Sequence, residues 1–219
     1  LETKSTYSKD SVTSTTIRKR YEYDHAGRLL KTYHQLNSEP EILLSATLYN
    51  ELGELVTKKL HSEDNGTTFK QHVDFRYSIR GWLTRINNAD LSPDNINEPR
   101  DHFGMELAYN NVLTGINNTP QFNGNISATK YSTNQGFDPG LKERAYKYTY
   151  DPMSRLTAAT HYEKAASWNM SDGLHEDNIT YDLNTKMLSI RRKGADDSQM
   201  DNLVLDYGNA GNQLQSVTD

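Results

Sequence analysis

The sequence predicts an all-β fold of consecutive antiparallel β-hairpins that form a curved sheet, with at most one short helix. Three observations favour this fold. Only 34 % of the 219 residues are hydrophobic, yet 14 of them are tyrosines, a composition typical of strands with one wet face. A short turn motif recurs along the chain. Apolar residues seldom follow the 3.6-residue period of an amphipathic helix.

The turn motif first appears in "YEYDHAGRLLKTY" (21–33), after residues 1–16, which we interpret as an N-terminal extension or linker. Here Tyr23, Asp24 and Gly27 precede an Arg-Leu pair. Asp, Asn or Ser suits the first position of a type I turn, because its side chain can accept hydrogen bonds from backbone N–H groups further along. Gly three residues later can take the positive φ of a three-residue hairpin with a bulge. The motif therefore predicts a hairpin corner.

The motif returns in six further segments: "YNELGELV", "YSIRGWLT", "FNGNIS", "YDPMSRLT", "YDLNTKML" and "YGNAGNQL". Successive aromatic markers lie about 26–31 residues apart, except for one step of about 45, which is the regularity of a repeat array. It predicts seven hairpins within residues 17–219, in units near 17–44, 45–72, 73–117, 118–144, 145–176, 177–202 and 203–219. The residues assigned to the turns are Tyr23, Asp24, Gly27, Tyr49, Gly53, Tyr77, Gly81, Tyr150, Asp151, Tyr181, Asp182, Tyr207 and Gly211.

Three segments depart from the regular units. Residues 87–102, rich in Asn, Asp and Pro, explain the long step as an inserted loop or lid, and "FGMELAYN" after them predicts an extra strand. The Asn-Gly pair of "FNGN" is a signal for a two-residue hairpin. Residues 162–174 are the best candidate for one short helix.

The recurring Y-D-x-x-G-R-L pattern resembles the YD repeat of the RHS family, whose relatives include teneurins and the shell components of insecticidal toxin complexes. "YDHAGRLLKTY" matches the motif fully, and "YDPMSRLTAATHY" matches it with Ser154 in place of Gly. The resemblance covers roughly residues 17–219. It implies a spiralling antiparallel sheet that closes into a hollow shell. Since seven units are too few to close a shell, we expect a partial shell or an open barrel.

The resemblance also implies a function. We expect a non-catalytic structural segment of a secreted or cell-surface bacterial protein, which helps to enclose or display a C-terminal toxin or other cargo domain. The expected partners are adjoining repeats of a longer parent chain, since the sequence lacks an initiator Met. The alternative is a glycan-binding module, with Trp82 and Trp168 as candidate stacking platforms for sugar rings. A hydrolase on the concave face is the third possibility.

No residue pattern predicts catalysis, a cofactor or a metal site. The repeat acids Asp24, Asp151 and Asp182 already have a turn role, and the Asp-Pro pair at residues 151–152 lies at a repeat turn. None of the seven histidines forms an H-x-x-x-H pair, and a cross-strand partner is the simplest role for His34 and His161. Residues 94–98 and 196–202 crowd oxygen ligands, but both lack the spacing of an EF-hand calcium loop.

Charge and hydropathy exclude other classes. The two basic runs, residues 17–21 and 190–194, are short and flanked by acids, and the net charge is -5, so nucleic-acid binding is not expected. No apolar run approaches the ~20 residues of a membrane-spanning helix. The chain has no cysteine, which excludes disulfides.

Overall fold

The computed structural model describes residues 1–9, 13–93, 101–134, 143–171, 173–208 and 211–219. All regular secondary structure in these ranges is β-strand. The chain divides into two compact units, Leu1–Gly104 and Met105–Asp219. The predicted all-β fold of consecutive antiparallel hairpins is confirmed in both.

The first unit is an antiparallel meander, in which each strand pairs with the strands before and after it in the sequence. Its strands are β1 (Glu2–Lys9), β2 (Thr13–Tyr23), β3 (Leu29–Leu36), β4 (Ile42–Tyr49), β5 (Leu55–Ser62), β6 (Gln71–Tyr77) and β7 (Leu83–Ile86). Strand β8 (Phe103–Ala108) begins in this unit and ends in the next; it is the extra strand that the sequence predicts.

The second unit continues with β9 (Ala128–Thr133), β10 (Arg144–Tyr150), β11 (Leu156–Lys164), β12 (Trp168–Met170), β13 (Glu176–Tyr181), β14 (Met187–Lys193), β15 (Gln199–Asp206) and β16 (Ser216–Thr218). Neighbouring strands are again antiparallel. Strand β12 lies off the regular order, because it pairs with the end of β11 while β13 pairs with the middle of β11.

The strands alternate between a buried and a wetter face, as the composition suggests. In β4, Leu43 and Thr47 are buried, whereas Leu44 and Leu48 on the other face are 38 % and 52 % exposed. The apolar core of the second unit consists of small strand residues covered by two loop residues: Ala108, Ala128, Ala145, Leu113 and Ile116. Alanines on three strands leave room for the loop to pack closely.

Two segments differ from their sequence-based interpretation. The short helix expected over residues 162–174 is wrong: Tyr162 to Lys164 pair with Met170 to Trp168 in a small hairpin. The segment forms a strand because it pairs with the end of β11. A helix is not favoured there, since the segment has no apolar stripe that a helix would bury. Residues 1–16, interpreted as an extension or linker, contain β1, which pairs along its length with β2.

The "FNGNIS" segment also differs from expectation. Its Asn123–Gly124 pair does not join two adjacent strands, because residues 121–127 lie outside the strands. The connection from β8 to β9 is instead a long loop that packs on the alanines of the core. Of the predicted insertion at 87–102, residues 94–100 lie outside the described residues.

Candidate functional site

Five corners that begin with Asp, Asn or Ser share one backbone geometry, which the turn from Gly194 to Ser198 between β14 and β15 repeats without a polar first side chain. We number them 1 to 5 by their first residues, which are Asp24, Asn50, Ser78, Asp151 and Asp182. In each corner the N–H of the fourth residue donates to the carbonyl of the first, at 2.9–3.2 Å, and the N–H of the first residue donates to the carbonyl of the fifth, at 2.8–3.0 Å. The same closed loop therefore joins β2 to β3, β4 to β5, β6 to β7, β10 to β11 and β13 to β14.

The side chain of the first residue completes each corner. One oxygen of Asp, Asn or Ser accepts the N–H groups of the third and fifth residues, at 2.8–3.2 Å. Both amides belong to the turn and have no strand partner there. The side-chain oxygen thus replaces the backbone acceptors that the turn cannot supply.

The fourth residue of every corner has a positive φ. The angle is 79° at Gly27, 83° at Gly53 and 74° at Gly81, and it is 63° at Ser154 and 70° at Thr185. No atom lies within 4 Å of the position that a Cβ would take at Gly27. The glycine is therefore favoured by backbone conformation and not by lack of space.

The tyrosine before a corner binds the preceding corner. The hydroxyl of Tyr49 donates to the carbonyl of Leu29 at 3.0 Å, and that of Tyr77 to Leu55 at 2.9 Å. In the second unit Tyr181 donates to Leu156 at 2.8 Å. Each acceptor is the sixth residue of the preceding corner, the first of its return strand. The tyrosines therefore join consecutive hairpins.

Tyr150 shows that the "FNGNIS" loop takes the place of a corner. Its hydroxyl donates to the carbonyl of Ile126 at 2.7 Å. Ile126 follows Gly124 (φ 98°) by two residues, as Leu29 follows Gly27. Aligned in this way, Pro120 occupies the tyrosine position that the sequence analysis gave to Phe122.

The fifth residue of corners 1, 4 and 5 is a cation that also contacts the next tyrosine along the chain. Arg28 pairs with Asp24 at 2.7 Å, and its guanidinium carbon lies 5.0 Å from the ring centroid of Tyr49. Lys186 repeats the arrangement, with its Nζ 3.3 Å from the carboxylate of Asp182 and 4.9 Å from the Tyr207 ring centroid. Each cation is held by the carboxylate of its own corner and by the ring of the next tyrosine.

These contacts also hold the corner carboxylates in the ionised form. At Asp24 the backbone N–H and then the side chain of Arg28 lower the pKa below its ordinary value. The corresponding groups of Arg155 lower the pKa of Asp151. Both carboxylates use their oxygens within the corner, which is the turn role that the sequence predicts for them.

The two tryptophans occupy different environments. Trp82 is the fifth residue of corner 3, where other corners have Arg, Lys or Glu, and the guanidinium carbon of Arg80 lies 5.0 Å from its ring centroid. Trp168 begins β12 and packs against the core of the second unit. A Cβ at Gly115 would lie 2.7 Å from Cδ1 of Trp168, so the indole rests directly on the glycine backbone.

Trp168 lines a cleft of about 640 Å³ in the second unit. Asn111, Thr114 and Ser167 add neutral polar groups to its walls. Its two lysines are neutralised by acids: Lys130 lies 3.0 Å from Glu106, and Lys164 pairs with Glu143. The cleft thus combines an aromatic surface with polar groups and balanced charge, which suits an uncharged polar ligand.

The other sequence candidates have local roles. In the 196–202 segment, Asp196 accepts from Ser198, and Asp201 pairs with Arg192; the 94–98 segment lies outside the described residues. The part of the chain that the structure describes contains no cluster of three or more potential metal-ligating side chains, and no helix in it has the length and hydropathy to cross a membrane.

Sequence reasoning missed one cluster. His161 lies on a return strand opposite Tyr146, as a cross-strand partner requires, but it also contacts Ser171 and the side chain of His175. No motif connects these three residues. Only the pairing of β11 with two different strands brings them together.

Comparison with known proteins identifies no matching protein family and no matching curated sequence. Similar solved structures include Tc toxin-complex chains. They include the Photorhabdus luminescens Tc holotoxin pore with a mutant TccC3 (TM-score 0.35, 11 % identity, 95 % of this chain and 13 % of that chain). Another is TcdB2-TccC3-TEV, with a TM-score of 0.33 and 12 % identity over 90 % of this chain and 12 % of that chain. A third is TcdB2-TccC3-Cdc42, with a TM-score of 0.35 and 11 % identity over 88 % of this chain and 13 % of that chain. The chain spans about an eighth of the length of these chains.

Proposed function

We propose that the chain is a non-catalytic structural segment of a secreted or cell-surface protein of the RHS type, forming part of a β-shell that encloses or displays a partner domain such as a toxin. One observation carries the proposal: the tyrosine of a corner binds the return strand of the preceding corner, as Tyr49 binds Leu29 and Tyr181 binds Leu156. The motif residues therefore act to join hairpins edge to edge.

The chemistry of the corners supports an architectural role. A carboxylate that takes part in proton transfer needs an oxygen free to meet a substrate. At Asp151, one oxygen accepts two backbone N–H groups and the other accepts from Arg155. Such a carboxylate stabilises a turn and is poorly placed for acid–base catalysis.

Electron microscopy of the parent protein tests the proposal. A short epitope tag inserted after Glu39, in the exposed loop between β3 and β4, marks the segment without interrupting a corner or a strand. We expect bound antibody to mark the wall of a hollow particle that contains a second domain. Antibody on a free module outside any shell would contradict the proposal.

A second candidate, glycan binding, is favoured by the Trp168 cleft. An indole face packs well on a sugar ring, and neutral polar groups around it can bond hydroxyls. The test is a glycan array with three proteins: the unmodified chain, Trp168→Ala and, as control, Trp82→Phe. We expect Trp168→Ala to abolish binding and Trp82→Phe to retain it. A flat array, with Trp fluorescence unchanged by any glycan, would exclude this function.

The cleft gives less support to a hydrolase. Glycosidases need two carboxylates on opposite sides of the bond that is cleaved. Among the described residues that line the cleft, Glu106 is the one acid, and it pairs with Lys130.

A further inference from the structure

The outer edge of β11 is divided between two strands, and a polar cluster occupies the point of division. Ala159 pairs with Glu176 of β13, whereas Tyr162 pairs with Met170 of β12. His161 lies between them and is fully buried. We call the group formed by His161, Ser171, Gly173 and His175 the fork.

Side chains replace a strand partner at the fork. The backbone N–H of His161 donates to Nδ1 of His175 at 2.9 Å, and the backbone N–H of Ser171 donates to the carbonyl of His161 at 3.1 Å. Since Nδ1 of His175 accepts, its proton is on Nε2, which donates to the carbonyl of Ser171 at 2.6 Å. A second proton on His175 would therefore displace the backbone N–H of His161.

His161 also has to be neutral. Oγ of Ser171 donates to the carbonyl of Gly173 at 2.7 Å, so it accepts the proton that Nδ1 of His161 donates at 2.8 Å. This leaves Nε2 of His161 as a bare acceptor, and it is buried without a hydrogen-bond partner in the described part of the chain. A proton added there would bring a buried charge and an unpaired donor.

We propose that the fork is a pH-sensitive switch, in which protonation of His161 and His175 releases Ser171 and frees β12 with its Trp168 from the rest of the unit. The closed fork requires both imidazoles in their neutral form. The open fork exposes both to water, where an imidazole can gain a proton at mildly acid pH without burying a charge.

The groups that face the fork do not reverse the preference of the closed state for a neutral His161. Burial, the largest cause, lowers the pKa of His161, and Arg144 of β10 and His175 lower it further, while Glu163 opposes them. The ring of Tyr146 lies 5.0 Å from that of His161 and keeps water away. Asp177 of β13 interacts with His175 and also with Lys193 and Arg191 of β14, so the charge nearest His175 is balanced by cations.

The direction of the pH effect follows from linkage. Below about pH 6.5 the open state binds more protons than the closed state, so acid favours opening by up to about tenfold per pH unit for each proton taken up. Opening removes β12 from Tyr162 and Lys164 and takes Trp168 away from Gly115. The opening itself is independent of the proposed glycan binding, whereas a loss of ligand at low pH rests on that proposal.

The unmodified chain provides the first test. Between pH 7.5 and 5 we expect the amides of His161 and Ser171 to lose at least tenfold of their hydrogen-exchange protection, after correction for the intrinsic rate, while β10 stays protected. In the Trp82→Phe variant, which leaves Trp168 as the sole tryptophan, emission should move to longer wavelength over the same range. Full protection of both amides at pH 5 would overturn the proposal, whatever the glycan array shows.

Variants test the assignment to these two histidines. Asn at both positions (His161→Asn with His175→Asn) keeps a donor and an acceptor near the two Nδ1 positions but does not titrate. We expect it to remove most of the pH dependence, whereas His25→Gln at an exposed corner tip should leave the response unchanged. A folded double variant with the wild-type response would overturn the proposal. If that variant does not fold, NMR titration of the unmodified chain decides, because burial must hold the pKa of His161 below the ordinary value for histidine.

Discussion

The guanidinium carbon of Arg155 lies 4.7 Å from the ring centroid of Tyr181. The neighbouring Leu156 supplies the carbonyl that accepts the hydroxyl of the same tyrosine. Two adjacent residues of corner 4 thus hold both the face and the polar end of the ring that opens corner 5. Arg155 also donates to the carbonyl of Asp182 at 2.9 Å, so consecutive corners are connected through three separate contacts.

Removing one tyrosine hydroxyl should weaken this connection. Tyr181→Phe deletes the hydrogen bond to Leu156 and is expected to lower the free energy of unfolding by about 1 kcal/mol. Tyr23→Phe is the matched control, because Tyr23 occupies the same position in corner 1 and its hydroxyl has no partner in the described ranges. Urea unfolding measures both variants. Equal effects of the two substitutions would contradict the role of the tyrosines.

The positive φ of the fourth corner residue predicts opposite effects of two substitutions. Gly27→Ala meets no atom but must adopt a left-handed conformation, so we expect a loss of about 1 kcal/mol. Thr185→Gly relieves that strain at corner 5, and the gain should be smaller because glycine also increases the entropy of the unfolded chain. Thermal unfolding measures both changes. A neutral Gly27→Ala would show that the corner tolerates side chains freely.

The first residue of a corner should matter more than the exposed tip. Asp151→Ala removes the acceptor of two backbone N–H groups and the partner of Arg155, and we expect the melting temperature to fall by about 2–4 °C. Asp151→Asn keeps an acceptor, as Asn50 does in corner 2, and should recover most of the loss. Glu51→Ala, at the tip of corner 2, serves as the control. If Asp151→Asn lowers the melting temperature as much as Asp151→Ala does, the effect comes from the lost charge and not from the lost acceptor.

Stability should fall at acid pH through the corner carboxylates. Hydrogen bonds from the corner lower the pKa of Asp24 and Asp151 in the folded chain. A carboxyl whose folded pKa is depressed stabilises the fold above its unfolded pKa of about 3.9, and this contribution is lost as the pH falls through the folded value. The double variant Asp24→Asn, Asp151→Asn should therefore lose less stability than the wild type below about pH 4. Parallel acid unfolding curves would disprove this.

The contact between Gly115 and Trp168 gives a prediction for the cleft. Gly115 has a φ of 86°, and an added Cβ would lie 2.7 Å from the indole. Gly115→Ala should therefore displace Trp168 and destabilise the second unit, which we estimate at about 1–3 kcal/mol. Trp emission in a Trp82→Phe background detects the displacement. An unchanged spectrum would mean that the indole does not rest on this glycine in solution.

The corners were predictable because their structure is local. The acceptor and the positive-φ residue of a corner, such as Asp24 and Gly27, lie three positions apart, and their chemistry alone closes the turn. The sequence also indicated that Ser154 stands where corners 1 to 3 have Gly. The links between corners were not predicted, since the partner of Tyr181 depends on how the hairpins lie side by side.

The features that were missed depend on pairing across the sheet. Residues 168–170 form a strand because the end of β11 offers them an edge, which no local pattern shows. Strand β1 carries no turn motif, so its pairing with β2 left no signal in the sequence. The fork was invisible for the same reason: Ser171 and His175 are brought to His161 by two different strands.

The tyrosine hydrogen bond makes each corner interchangeable with the next. The tyrosine of corner 2 donates to Leu29 of corner 1, and Leu55 of corner 2 accepts from the tyrosine of corner 3, so removal of one complete period here leaves no unmatched group. A chain in which Tyr23 is followed directly by Asn50 keeps a tyrosine before a corner and a leucine after it. Such proteins can therefore lengthen or shorten by whole hairpins, whereas a deletion of half a period would place the next corner at the opposite end of the strands, out of reach of the carbonyl that its tyrosine binds.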